Sequence, residues 1–226
     1  MNRINVPSKT TFSAEFYGPS APSAAGLVVL VYGTDGFVDN ERGPWRTMLR
    51  GYAEDLASRG VCALIPDYFQ STGTQHGGPA AFEIGSKRGE WAAALVDTVS
   101  HARTLAGVDP ARIGMLGFSL GGYLALLTRA AVKPRALVEY FAPRFDGIGA
   151  AGSVPSAQIH HGTNDHGPTA FANAASIAAT LKGEQTEVDV FEYKDATHGF
   201  ATASAADQKA ARDSKATTLK FFETVL

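Results

Sequence analysis

The sequence predicts an α/β fold in which a mostly parallel central sheet is covered by helices on both faces. Strand-like and helix-like segments alternate along most of the 226 residues, which is typical of parallel strands joined by crossover helices. Residues 26–32 form a continuous apolar run, which indicates a central strand buried on both faces. The stretch between residues 141 and 156 is short and contains glycine and proline, so we expect no cap domain there.

Eight segments are predicted to be strands. The first two are short and comparatively polar, as expected for antiparallel strands at the edge of a parallel sheet. The later ones are apolar and stand between helical patterns, apart from the last, which alternates. The predicted strands are residues 4–6, 11–17, 26–32, 61–65, 112–116, 136–141, 156–161 and 187–193.

Five segments show helical spacing of apolar residues. The first begins near Pro44 and ends before Gly60, and Trp45 and Trp91 are expected to be core residues of the first two helices. The second helix ends near residue 107, the third covers 122–131, the fourth 168–181, and the last starts near 205. Residues 70–79 are polar and glycine-rich, which predicts a surface loop.

Composition and charge narrow the class of protein. The formal net charge is −2, with acids and bases scattered, so neither nucleic acid nor an anionic membrane surface is expected as a partner. No apolar stretch resembles a signal peptide or a membrane-spanning helix, which predicts a soluble, cytoplasmic protein. The length of 226 residues favours a single domain. The only cysteine, Cys62, excludes an internal disulfide and a cysteine-based zinc site and is expected to be buried.

Residues 117–121 read Gly-Phe-Ser-Leu-Gly and lie between a predicted strand and a predicted helix. This arrangement is typical of a nucleophile elbow, where a strained turn holds the serine hydroxyl away from the chain. A serine at neutral pH needs a histidine to accept its proton and a carboxylate to orient that histidine. The pattern therefore predicts that Ser119 has two partners further along the chain.

Two downstream segments supply the expected partners. Asp165 follows the strand at 156–161, and His198 follows the strand at 187–193. The carboxyl ends of parallel strands meet at one edge of a sheet, so both side chains are expected to lie beside Ser119. Asp146 is a second candidate for the acid. The remaining histidines of this region, His160, His161 and His166, are expected to be structural.

Together with Pro-Asp-Tyr at 66–68 and His-Gly-Phe at 198–200, these residues resemble the dienelactone hydrolase family of α/β-hydrolases over nearly the whole chain. The resemblance implies an α/β-hydrolase fold without a cap domain. It also implies that Ser119 is the nucleophile, Asp165 the acid and His198 the base.

The same resemblance implies that the backbone amides of Thr34 and Leu120 form an oxyanion hole. The conformation of the turn could make Asp35 the donor instead of Thr34. Two departures from the founding members are visible. Those enzymes are similar but place a cysteine at the nucleophile and a glutamate where this chain has Gly33. They also carry an arginine just after the catalytic histidine, which is absent here, so dienelactone specificity is not expected. Arg88 and Arg144 are the remaining candidates to bind a substrate anion.

The expected function is hydrolysis of small carboxylic esters or lactones through an acyl-enzyme. No metal or organic cofactor is expected, because the chain has no H-E-x-x-H helix, phosphate-binding P-loop or dinucleotide fingerprint. The site is expected to be open and shaped by loops 33–43 and 70–79, which favours short substrates. Two alternatives stay open: a peptidase resembling the prolyl oligopeptidase catalytic domain, and a catalytically silent binding scaffold. The oligomeric state is not predicted.

Overall fold

The computed structural model describes residues 1–19, 24–78, 80–149, 152 and 154–226. Its centre is an eight-stranded sheet, with a two-stranded hairpin beside it. The strands are β1 (Asn2–Val6), β2 (Phe12–Tyr17), β3 (Ala25–Val31), β4 (Asp39–Asn40), β5 (Gly43–Pro44), β6 (Cys62–Pro66), β7 (Val108–Phe118), β8 (Ala136–Tyr140), β9 (Ser156–Gly162) and β10 (Glu187–Tyr193).

The large sheet has the order β1-β2-β6-β3-β7-β8-β9-β10. The pairs β1–β2 and β2–β6 are antiparallel, and the remaining pairs, from β6 through to β10, are parallel. The apolar run predicted at 26–32 becomes β3, which is buried along its whole length and lies inside the sheet. The predicted α/β class with a mostly parallel sheet is therefore confirmed.

The helices are α1 (Trp45–Ser58), α2 (Ala80–Ala102), α3 (Leu120–Val132), α4 (Ala172–Gly183) and α5 (Ala205–Val225). Glu139 of β8 lies close to Gly122 of α3, whereas the next residue, Tyr140, is hydrogen bonded to Thr218 of α5. Successive strand residues point to opposite faces of a sheet. Helices α3 and α5 therefore cover opposite faces, as predicted.

Some predicted boundaries are wrong. Strand β7 starts at Val108, not at residue 112, because its first residue pairs with Ala25 of β3. The predicted helix at 168–181 is divided into a 3₁₀ turn at Gly167–Thr169 and helix α4. The predicted loop at 70–79 begins inside a 3₁₀ helix, Tyr68–Thr72, and its last residue, Pro79, lies outside the described residues.

The connection between β8 and β9 contains neither helix nor strand among its described residues, so no cap domain is inserted there. Cys62 and Trp91 are buried as predicted. Within the described ranges, none of the helices has both the length and the apolar character that crossing a membrane requires.

Candidate active site

Ser119 occupies a sharp turn between β7 and α3. Its backbone angles, φ 53° and ψ −119°, lie in a region that non-glycine residues rarely adopt. The turn depends on close backbone approaches: a Cβ on Gly117 would lie 2.3 Å from the carbonyl oxygen of Gly121, and one on Gly121 would lie 2.1 Å from that of Val31. Glycine is therefore required on both sides of the serine, as a nucleophile elbow demands.

Ser119, His198 and Asp165 form one hydrogen-bonded series. The Ser119 Oγ atom is 3.2 Å from His198 Nε2, and His198 Nδ1 is 2.8 Å from Asp165 Oδ2. The three residues follow β7, β10 and β9 respectively, so the edge of the sheet brings them together in the way that the sequence predicts. The alternative acid, Asp146, is exposed, and no contact joins it to His198 in the described part of the chain.

Asp165 is buried and held in its ionised form. Burial by itself raises the pKa of the carboxyl, but hydrogen bonds from His161, His198 and Thr169 outweigh it, and the net pKa lies well below the ordinary value. Thr169 Oγ1 donates to Asp165 Oδ1 at 2.8 Å. Because an ionised carboxylate only accepts, the Nδ1 of His198 carries the proton in this contact. The other ring nitrogen, Nε2, faces Ser119 Oγ.

A second histidine and a buried glutamate lie behind Asp165. His161 Nε2 is 2.7 Å from the Thr169 carbonyl oxygen and 3.3 Å from Asp165 Oδ2. Burial lowers the pKa of His161, but the hydrogen bond to Asp165 and the charge of Glu139 outweigh it and raise the pKa above the ordinary value. His161 therefore contacts Asp165 directly, and this contact lowers the pKa of the Asp165 carboxyl.

Glu139 is fully buried in β8, and burial raises the pKa of its carboxyl to about 7, although His161 and the Ala142 amide act in the opposite direction. The Glu139 Oε1 and His161 Nδ1 atoms are both buried without a hydrogen-bond partner in the described part of the chain. The sequence could have indicated the buried carboxyl, because Glu139 is a single acidic residue inside the apolar run Ala-Leu-Val-Glu-Tyr.

Asp207 holds the loop that carries His198. One of its oxygens accepts from the Thr197 amide at 2.7 Å, and the other accepts from Thr197 Oγ1 at 2.7 Å and from Thr202 Oγ1 at 2.6 Å. Thr197 and Thr202 stand on either side of His198, and Asp207 is buried in the first turn of α5. The prediction from sequence missed this residue, although Ser204 and Asp207 have the spacing of a helix-capping pair.

The amides of Thr34 and Leu120 are available to bind an anion. Neither donates a hydrogen bond to another described residue. Thr34 lies in a turn in which the Gly36 amide donates a hydrogen bond to the Gly33 carbonyl oxygen at 3.0 Å. Thr34 also lines the cavity beside Ser119. The carboxylate of Asp35 pairs with Arg42 at 2.5 Å, and both residues line the same cavity.

The two arginines that the sequence suggested as anion ligands lie elsewhere. Arg88 interacts with the hydroxyl of Tyr123, and Arg144 is exposed. Neither lines a cavity next to Ser119. The basic residue that does line it is Arg42, which sequence reasoning did not single out.

Two cavities adjoin at the site. The first, of about 230 Å³, is lined by Ser119 and His198 together with residues of loop 33–43. The second, of about 240 Å³, is lined by residues of α1, α5 and the ends of β7 and β8. Trp45 lines both and is only half-buried, so its predicted position in the core is wrong. Loop 70–79 contacts loop 33–43, because His76 Nδ1 accepts a hydrogen bond from the Phe37 amide at 3.0 Å. It therefore affects the shape of the first cavity only through loop 33–43.

The described residues include no cluster of histidine, cysteine and acidic side chains able to hold a metal ion. What they present is a serine on a strained elbow of an α/β-hydrolase sheet, with a histidine and a carboxylate in series. The class of protein that this fold and site define is the α/β-hydrolases.

A sequence model described as the dienelactone hydrolase family matches residues 14–226. The chain belongs to the dienelactone hydrolase family. Two proteins and one solved structure illustrate the similarity.

A putative carboxymethylenebutenolidase of Synechocystis sp. is 25% identical over 198 residues, which cover 79% of this chain and 80% of that protein. The quorum-quenching protein AidA of Acinetobacter baumannii is 31% identical over 137 residues, 60% of this chain, and the match spans only 41% of AidA. The crystal structure of a putative dienelactone hydrolase from Klebsiella pneumoniae superposes with a TM-score of 0.78 at 20% identity, covering 98% of this chain and 97% of that one. This last similarity concerns the fold.

Proposed function

We propose that the protein is a serine hydrolase that cleaves small carboxylic esters or lactones through an acyl-enzyme intermediate. The observation that carries the proposal is the hydrogen-bonded series from Ser119 through His198 to Asp165. An ionised, buried acid fixes one ring nitrogen of the histidine, and the other ring nitrogen is placed to accept the serine proton.

In the proposed first half-reaction, Ser119 Oγ attacks the carbonyl carbon of the ester while its proton passes to His198 Nε2. The imidazolium is stabilised by Asp165, and the same proton is then transferred to the departing alcohol. Water enters in the second half-reaction. It loses a proton to His198, attacks the acyl carbon and releases the acid, so that Ser119 regains its proton.

The amides of Thr34 and Leu120 are the proposed oxyanion donors. They are free of other acceptors in the described part of the chain, and they are fixed by a turn and by the start of α3. Fixed donors stabilise the tetrahedral intermediate without reorganising during the reaction, and the loss of one such donor typically costs about 10²–10³ in kcat.

The substrate is proposed to be a neutral ester or lactone. A Cβ on Gly33 would lie 3.1 Å from the Cβ of Ser119, so the glutamate of the founding family members has little space here. The charge of Arg42 is already compensated by Asp35. A substrate carboxylate would therefore gain little at this site, which agrees with the absence of an arginine after His198.

The experiment is a comparison of ester hydrolysis by the wild type, Ser119→Ala, His198→Ala and the double variant. Residues that act as a unit lose activity non-additively. We expect each single variant to lose at least about 10⁴ in kcat and the double variant to lose little more. Ser86→Ala, at an exposed serine of α2, is the matched control and should keep wild-type activity. If the losses in kcat of the two single variants add in the double variant, or if Ser119→Ala stays active, the proposal is contradicted. A wild type that binds ligand tightly but hydrolyses no ester would favour the catalytically silent scaffold.

A further inference from the structure

The second cavity adjoins the active site, and many of its lining residues are aromatic. It shares Trp45, Met48, Phe118, Phe141 and Gly199 with the cavity that contains Ser119. These five residues therefore form part of the wall of both cavities.

The walls beyond the shared residues are also aromatic. Tyr52 and Tyr140 line the second cavity, and the Phe118 ring lies 5.4 Å from the Tyr52 ring and 4.7 Å from the Tyr140 ring, measured between centroids. The hydroxyl of Tyr52 donates to that of Tyr140 at 3.0 Å, so these polar atoms are already paired with each other. Aromatic walls with paired hydroxyls favour an apolar, planar occupant.

Among the described residues that line this cavity, Lys215 is the charged one, and its charge is compensated. The Lys215 ammonium lies 2.7 Å from the Asp55 carboxylate and 5.1 Å from the centre of the Tyr52 ring. A charged group on the ligand is therefore not required to balance it. The cavity wall on the side of α5 is completed by small residues, Ala211 and Ser214, which leave the space open.

Trp45 has a fixed position between the two cavities. A Cβ on Gly43 would lie 2.6 Å from the indole ring, and one on Gly199 would lie 2.7 Å from it, so the ring packs directly against two backbones. Its Nε1–H is buried and has no acceptor among the described residues.

We propose that the second cavity is a subsite for an aromatic group of the substrate, and that the enzyme acts preferentially on arylalkyl esters. This inference rests on the proposed function of Ser119. The volume, about 240 Å³, is sufficient for a phenyl ring, since an apolar cavity of about 150 Å³ is known to bind benzene. A short linker places the ring in the subsite while the ester carbon stays beside Ser119.

The test uses two series of esters of equal linker length. Methyl esters of phenylacetic, 3-phenylpropionic and 4-phenylbutyric acids, and acetates of the matching phenylalkyl alcohols, are compared with straight-chain alkyl esters. We expect at least one aryl ester to exceed its alkyl counterpart by about 10-fold or more in kcat/KM, which is the scale of discrimination in an apolar pocket. Ethyl butyrate, which carries no ring, is the reference substrate.

Ala211→Phe fills the subsite from α5, and Ala216→Phe, at an exposed position of the same helix, is the matched control. We expect Ala211→Phe to lose about 10-fold more in kcat/KM on the preferred aryl ester than on ethyl butyrate, and Ala216→Phe to change neither. An equal loss on both esters would overturn the subsite.

The wild-type comparison does not depend on how well any variant folds. If the wild type hydrolyses ethyl butyrate but shows no aryl preference in either series, the subsite is wrong and the proposed function stands. If it hydrolyses no ester at all, both are wrong. As a further measurement, 3-phenylpropan-1-ol is expected to inhibit ethyl butyrate hydrolysis competitively and at least about 10-fold more strongly than hexan-1-ol.

Discussion

Replacement of Glu139 by glutamine tests the electrostatics of the buried region behind Asp165. Glu139 lies in β8, and one of its oxygens accepts from the Ala142 amide at 2.9 Å while the other has no partner in the described part of the chain. Burial raises the pKa of the carboxyl to about 7, compared with 4.5 for the exposed group. Glutamine has nearly the same shape, keeps the oxygen that accepts from Ala142, and cannot ionise.

The sign of the effect follows from the two pKa values. Below pH 4.5 the carboxyl is neutral in the folded and in the unfolded chain, so it adds no pH dependence. Between pH 4.5 and about 7 it ionises only in the unfolded chain, which lowers the free energy of unfolding as the pH rises. The full difference between the two values corresponds to about 3 kcal/mol. Stability that is present at low pH is therefore lost as the pH rises.

The assay is urea-induced unfolding of the wild type and Glu139→Gln at several pH values from 4.5 to 8. The variant is expected to gain about 3 kcal/mol relative to the wild type across this range, with most of the change complete near pH 7. Glu187→Gln, at an exposed position of β10, controls for the loss of a surface carboxylate. A difference between Glu139→Gln and the wild type that does not vary with pH would refute the reasoning.

Three further predictions concern the scaffold of the site. Gly121→Ala should lower the free energy of unfolding by about 3 kcal/mol, because the new Cβ would lie 2.1 Å from the carbonyl oxygen of Val31. The control is Gly89→Ala, at a helical position with no neighbour within 4 Å, which should raise the free energy of unfolding by about 1 kcal/mol. Asp165→Asn should reduce kcat about 10⁴-fold with little change in KM, and steady-state kinetics showing a loss below 10-fold would assign the acid to another residue. Asp207→Asn should lower the free energy of unfolding by about 2–4 kcal/mol and also lower kcat, because the charge-assisted hydrogen bonds of Asp207 hold the loop that carries His198. An unchanged kcat in the destabilised variant would contradict the positioning role of Asp207.

Much of the fold could be predicted because local patterns and tertiary packing agree. Strand β10 covers the predicted residues 187–193, and α5 begins at the predicted Ala205, where Ser204 accepts a hydrogen bond from the first turn. Boundaries set by distant pairing could not be predicted in this way. Strand β7 begins at Val108 because that residue pairs with Ala25 of β3, and the polar residues that follow it give no local signal for a strand.

The arrangement of Ser119, Asp165 and His198 could be predicted because each follows a parallel strand, and such strands end at one edge of the sheet. The surroundings of these residues could not. Trp45 has the spacing of a core residue, but the backbones of Gly43 and Gly199 approach its ring and place it beside the cavities. His161 and Asp207 act through contacts between distant segments, which no local periodicity encodes. Their roles in catalysis remain predictions.

The most direct test of the central proposal is the reaction of the intact protein with a fluorophosphonate, followed by mass spectrometry of the wild type and Ser119→Ala. An activated serine attacks phosphorus and displaces fluoride, which leaves a stable covalent adduct. We predict one adduct per wild-type chain, no adduct on Ser119→Ala, and protection of the wild type by a hydrolysable short ester. The absence of an adduct on folded wild type, or an equal adduct on Ser119→Ala, would contradict the assignment of Ser119 as the nucleophile.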